Sequence, residues 1–122
     1  MTNVNISRTS EKFRMRSEGH AGWGRANGLE EGHDIVCSAI SILTQTAAQR
    51  FMDMEAEGIV QLVRIHIESG IVDMEVDAEQ GAEERVEEMT DTIKTGFELI
   101  QQAYPSYLIL GWEKTDLACD IV

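Results

Sequence analysis

Residues 59–76 read IVQLVRIHIESGIVDMEV, and the way this stretch alternates decides the fold class. Ile59, Val63, Ile65 and Ile67 alternate with Arg64 and His66, and Val72, Met74 and Val76 alternate with Asp73 and Glu75. A period of two is the signature of half-buried strands. Ser69-Gly70 between the two runs suits a tight hairpin turn. The pairing sets Arg64 and His66 near Asp73 and Glu75, a charge match of about 0.2–1 kcal/mol per pair.

The N-terminal end repeats the pattern. Asn3–Arg8 reads as a strand with Val4 and Ile6 on one face. Lys12–Glu18 reads as its partner, Phe13 and Met15 alternating with Lys12, Arg14 and Arg16, with Thr9, Ser10 and Glu11 as the turn. Gly19–Gly32 carries Gly19, Gly22, Gly24, Gly28 and Gly32 and reads as a long loop. A loop of that length in a compact domain is functional or disordered.

Two helices are expected. Asp34 is a favoured N-cap, and Val36, Ile40, Leu43, Ala47, Phe51 and Met54 form one apolar stripe to about Asp53. Asp77–Gln80 looks like a capping box for a second helix, striped by Val86, Met89, Ile93, Phe97, Ile100 and Tyr104 and stopped by Pro105. Gly96 inside it costs on the order of 1 kcal/mol against Ala and marks close packing. Tyr107–Trp112 is a last strand. The order β-β-α-β-β-α-β predicts an α+β fold: a single layered domain over 1–122, with about five mostly antiparallel strands and two amphipathic helices.

Composition narrows the class. The chain has 122 residues, 43% hydrophobic and 26% charged, ordinary for a soluble globular protein. No apolar run approaches the roughly 18 residues of a membrane span, and the N-terminus has no secretory h-region. Two cysteines, Cys37 and Cys119, are too few for a disulfide framework, so a reduced, cytoplasmic setting is expected. A net charge of −12 argues against direct nucleic-acid binding. The charge is uneven: Arg8, Lys12, Arg14, Arg16 and Arg25 face only Glu11 and Glu18 in the first 25 residues. A basic N-terminal patch on an acidic body is expected. This charge pattern is either a solvated, solubilising surface or a docking surface for a basic partner attracted to the acidic body.

With Asp34 as cap, Cys37 falls at the third position of its helix, where free N–H groups and the positive end of the dipole favour a thiolate. The commoner fate of a lone cysteine is to be buried and inert. Cys37, however, sits beside the apolar stripe, and Ser41 shares its face one turn on. His20 opens the glycine-rich loop and could serve as the general base, or be merely exposed. His33 competes for the role from the helix entry, and His66 looks like a strand-face residue. A zinc site from His20, His33, Cys37 and Asp34 lacks the usual ligand spacing. A disulfide between Cys37 and Cys119 is a further alternative. Backbone N–H groups of the first helical turn, that of Cys37 included, are the expected oxyanion donors.

Gly19-His20-Ala21-Gly22 followed by Gly32-His33-Asp34-Ile35-Val36-Cys37-Ser38-Ala39-Ile40-Ser41 resembles the signature of the ribosomal-processing cysteine proteases of Gram-positive and related bacteria. That signature is GHA, a short loop, then G-x-D-I-V-C-x-A-x-S. The resemblance implies a catalytic dyad of Cys37 and His20, supported by Asp34, Ser41 and Gly19. It also implies substrate contacts at Gly22 and Trp23, where an aromatic ring could stack on aromatic residues of the substrate. Asp34 either caps the helix or orients His20. The family cleaves a short N-terminal extension from a large-subunit ribosomal protein, the twenty-seventh. The implied partner is the precursor of that basic protein, with a homodimer, no metal and no cofactor. In this chain the loop between the motifs is longer, carrying residues 25–31, and Ser38 stands where alanine is usual. The alternatives are a non-catalytic ribosome-associated binding module of the same fold, or a thiol redox sensor.

Overall fold

The computed structural model describes residues 1–30 and 32–115; Cys119, and with it any pairing to Cys37, lies outside them. The elements in chain order are β1 (Thr2–Arg8), β2 (Lys12–Glu18), α1 (Trp23–Ala26), α2 (Ile35–Ala56), β3 (Val60–Glu68), β4 (Ile71–Ala78), α3 (Glu83–Ala103) and β5 (Leu108–Lys114). The strands form one sheet in the order β3-β4-β2-β1-β5. β1 and β5 run parallel and the other neighbours antiparallel, which is the expected α+β architecture.

Alternation along β1 and β2 buries Val4, Ile6, Phe13 and Met15. Met74, Val76 and Leu108 join them from β4 and β5, and α2 and α3 close over this face with Val36, Ile40, Phe51, Met54, Ile93 and Phe97. Phe13 and Phe51 meet with ring centroids 5.0 Å apart. Gly96 marks the crossing of the two helices: a Cβ there would stand 2.8 Å from Leu43 Cδ2.

The other face of the sheet is polar. β2 lies between β1 and β4, so its bases sit directly over the acids of β4. Lys12 Nζ is 2.9 Å from Glu75 and 3.1 Å from Asp77. Arg14 Nε is 2.8 Å from Glu75 and Arg16 Nη1 3.0 Å from Asp73. Arg64 reaches Asp73 from β3 at 3.0 Å. Arg8 is buried, its Nη1 3.1 Å from Glu87 of α3. The expected basic patch is therefore largely neutralised in place, because strand pairing brings distant acids to it. His66 turns to Glu68 at 3.1 Å rather than to Asp73.

Four local expectations are corrected. The glycine-rich segment is not all loop, since it contains α1. The first long helix runs to Ala56 rather than Asp53. It ends where Gly58 adopts φ +77° and the N–H groups of Gly58 and Ile59 return to Glu55 and Met54 at 3.0 and 2.8 Å, a Schellman closure. Asp77–Gln80 is not a capping box. Strand pairing claims Asp77 and Ala78 for β4, and α3 starts at Glu83 after an N-cap, Ala82, that makes no side-chain cap. Val63 does not face the core: a bulge between Leu62 and Arg64 extrudes it, half exposed, and puts Leu62 opposite Val76 and Ile65 opposite Met74.

Candidate active site

Asp34 caps α2 from an extended conformation, and its Oδ1 accepts the N–H of Cys37 at 2.8 Å. Its Oδ2 accepts the N–H of Gly24 at 2.9 Å. One carboxylate thus ties α1 to the first turn of α2. The approach is close enough that a Cβ on Gly24 would stand 3.0 Å from Asp34 Cβ. Burial pushes the Asp34 carboxyl up, but the N–H groups of Cys37, Gly24 and Val36 outweigh it and hold the group below its ordinary value. With both oxygens engaged by backbone N–H groups, the observed bonds make Asp34 a cap and a tether.

The same geometry removes one expected oxyanion donor. The N–H of Cys37 is committed to the cap, so it is not free for a substrate oxygen.

Cys37 is half-buried, and its Sγ accepts the N–H of Ala21 at 3.2 Å. This bond fastens the start of the glycine-rich segment to the sulfur. On the other side of His20, the N–H of Gly19 donates to Gly70 O in the β3–β4 turn at 2.7 Å. His20 is exposed, and its ring lies against that turn: a Cβ on Gly70 would stand 3.0 Å from Nε2. His20 and Cys37 line one cavity of about 400 Å³, together with Ile40, Ser41, Ile67, Gly70 and Val72. They also line a second of about 810 Å³, with Gly22, Leu29 and Asp34. Among the described residues no hydrogen bond joins the imidazole to the sulfur.

The remaining candidates are placed as follows. Ser41 borders both cavities, and its carbonyl accepts Thr44 Oγ1 at 3.0 Å. Gly22 caps α1 with φ +81°. Trp23 is half-buried and packs edge-on against Tyr104, centroids 6.3 Å apart, so it anchors α1 to the end of α3. His33 is exposed. Among the described residues no group of three or more His, Cys, Asp or Glu is placed to hold a metal ion, and no helix is long and apolar enough to cross a membrane. Sequence reasoning read the β3–β4 turn as a hairpin turn but did not place it at the site. Ser69 and Gly70 carry no chemical signal, and only the sheet topology brings them to His20.

A cysteine in the first turn of a helix and a histidine lining the same cavity are residue types that a thiol hydrolase uses. The family model for the cysteine protease Prp matches residues 1–109, and the chain belongs to that family of cysteine proteases. No curated protein matches. Several solved structures are similar in fold, three of them as follows. One is SMU.848 from Streptococcus mutans (20% identity, covering 94% of this chain and 96% of that one, TM-score 0.63). Another is the essential ribosomal processing protease Prp from S. aureus with a covalently linked product peptide (18%, 92% and 99%, TM-score 0.69). The third is the same S. aureus protease with a substrate peptide (18%, 92% and 99%, TM-score 0.62).

Proposed function

We propose that this protease removes a short N-terminal extension from the precursor of a large-subunit ribosomal protein, the twenty-seventh, with Cys37 as nucleophile and His20 as general base. The observation that carries the reading is the shared cleft. Cys37 and His20 line one cavity, and the residue after His20 is hydrogen-bonded to the Cys37 sulfur. Family membership and the fold shared with a ribosomal processing protease support the substrate class. The acidic chain, at net charge −12, suits a basic substrate.

In the first step Sγ bonds to the scissile carbonyl carbon as the thiol proton passes to the imidazole. The tetrahedral intermediate collapses with cleavage of the C–N bond, the imidazolium giving its proton to the leaving amine. A thioester remains on Cys37. Water then attacks the acyl carbon, His20 taking its proton, and the thiol is released. The resemblance of the two motifs extends the proposal to a cytoplasmic homodimer folded as a single domain.

The test is incubation with the full-length ribosomal protein precursor and mass measurement of the product. Loss of the N-terminal extension is expected, abolished in Cys37→Ala and His20→Ala variants that keep the wild-type circular dichroism spectrum. An intact precursor with wild-type enzyme overturns the substrate, and full activity of His20→Ala overturns the dyad.

A further inference from the structure

The β3–β4 turn lies far from both motifs in sequence, yet it forms one wall of the cleft. Glu18 pairs with Ile71, and Ile71 with Glu68, so the end of β2 and the hairpin turn leave the sheet side by side. His20 is the residue that spans from this turn to the helix. Its preceding neighbour, Gly19, is bonded to Gly70 O at 2.7 Å. Its following neighbour, Ala21, is bonded to Cys37 Sγ at 3.2 Å. The backbone of His20 is thus held at both ends, and the remaining freedom lies in the side chain.

That side chain rests on Gly70. An added Cβ would stand 3.0 Å from Nε2, 3.4 Å from Cε1 and 3.5 Å from Cδ2, so a side chain at position 70 would press on the imidazole and make it give way by a few tenths of an ångström or more. We infer that Gly70 is a positioning residue for the reaction: by lacking a side chain, it seats the His20 imidazole on the wall of the cleft that faces Cys37. The inference rests on His20 acting as the base. It goes beyond that reading in making the hairpin turn part of the apparatus that places it. Gly70 touches neither sulfur nor peptide in this role; it acts through His20.

A substitution at Gly70 has two effects that must be separated. Gly70 has φ +78°, where any L side chain is strained. Gly58 has φ +77° with nothing within 4 Å of its added Cβ. Gly58→Ala therefore reproduces the backbone strain without touching His20. Gly70→Asn keeps a residue type that tolerates this conformation while still filling the seat.

The experiment compares Gly70→Ala, Gly70→Asn, Gly58→Ala and His20→Ala in two measurements. One is steady-state cleavage of a peptide spanning the cleavage site. The other is the pH profile of Cys37 alkylation by iodoacetamide without substrate. Misplacing a reacting group by about 1 Å costs up to roughly a hundred-fold in rate. Both Gly70 variants are expected to lose about ten-fold or more in kcat with KM little changed. Their alkylation profiles are expected to move from the wild-type curve toward that of His20→Ala, while Gly58→Ala keeps the wild-type profile and kcat. Gly70 variants matching Gly58→Ala in either measurement overturn the inference while leaving the dyad intact. If His20→Ala itself cleaves at the wild-type rate, the dyad reading fails, and this inference with it.

Discussion

Asp34 and Gly24 are joined by a 2.9 Å hydrogen bond from backbone N–H to carboxylate, and the same carboxylate caps Cys37 at 2.8 Å. The residue that starts the helix carrying Cys37 also holds down the segment that follows His20. Removing it disturbs both sides of the cleft at once.

Asp34→Ala is expected to lower stability by about 1 kcal/mol through the lost cap, and to make the segment around α1 more susceptible to limited proteolysis. The carboxyl is held below its ordinary value of 3.8 in the fold. A group depressed on folding stabilises fully above its unfolded value and loses that contribution as pH falls through its folded value. Urea midpoints should therefore converge for wild type and Asp34→Asn as the pH drops below the ordinary carboxylate range. Parallel curves down to the lowest pH would remove the linkage.

Glu75 receives Lys12 and Arg14 on the open face of the sheet, at 2.9 and 2.8 Å. The hydrogen bond from Lys12 is the main cause that keeps its carboxyl below the ordinary value. Lys12 and Arg14 are substantially exposed, at 38% and 57%, so solvent screens much of the attraction. Glu75→Gln is expected to cost about 1 kcal/mol in urea denaturation at neutral pH, less at high salt, and little below the ordinary carboxylate range. An unchanged midpoint at neutral pH and low salt would show that the pairs contribute nothing measurable.

Gly96 and Leu43 are coupled by contact. Gly96→Ala gains about 1 kcal/mol of helix propensity, but its methyl meets Leu43 Cδ2 at 2.8 Å, and overpacking costs about 1–3 kcal/mol. A net loss of about 1 kcal/mol is expected from the sum. In Leu43→Ala the clash is absent, so the same substitution should stabilise. A double-mutant cycle in chemical denaturation reads the change of sign.

Charge steering should be visible in kinetics. The net charge of −12 and a basic substrate predict a kcat/KM that falls several-fold from low to physiological ionic strength. The loss should lie in the association step, read by stopped-flow binding of a basic peptide to Cys37→Ala. A rate indifferent to salt would mean that the acidic surface has no part in encounter.

The local patterns were legible because each depends on near neighbours. Period-two alternation in Lys12–Glu18 and Ile71–Val76, the apolar stripe after Asp34, and Cys37 three residues past its cap all follow from backbone periodicity and first-turn hydrogen bonding. The misread elements depend on partners distant in sequence. Asp77 looked like a helix cap until pairing with β2 and β3 drew it into a strand. Val63 fitted an alternating strand until the bulge at Leu62/Arg64 shifted the phase. The bases of β2 looked like a free patch because their partners Asp73, Glu75 and Asp77 are sixty residues away in the chain.

The sequence by itself determined the two helices, the hairpins, and the place of the sulfur at a helix N-terminus, since these arise from interactions within a few residues. Only the tertiary structure decided that Asp34 also takes the N–H of Gly24 and that Ala21 fastens the loop to the sulfur. It alone set the imidazole on Gly70. Those choices depend on which elements the sheet order β3-β4-β2-β1-β5 brings side by side, and no local spacing encodes that order.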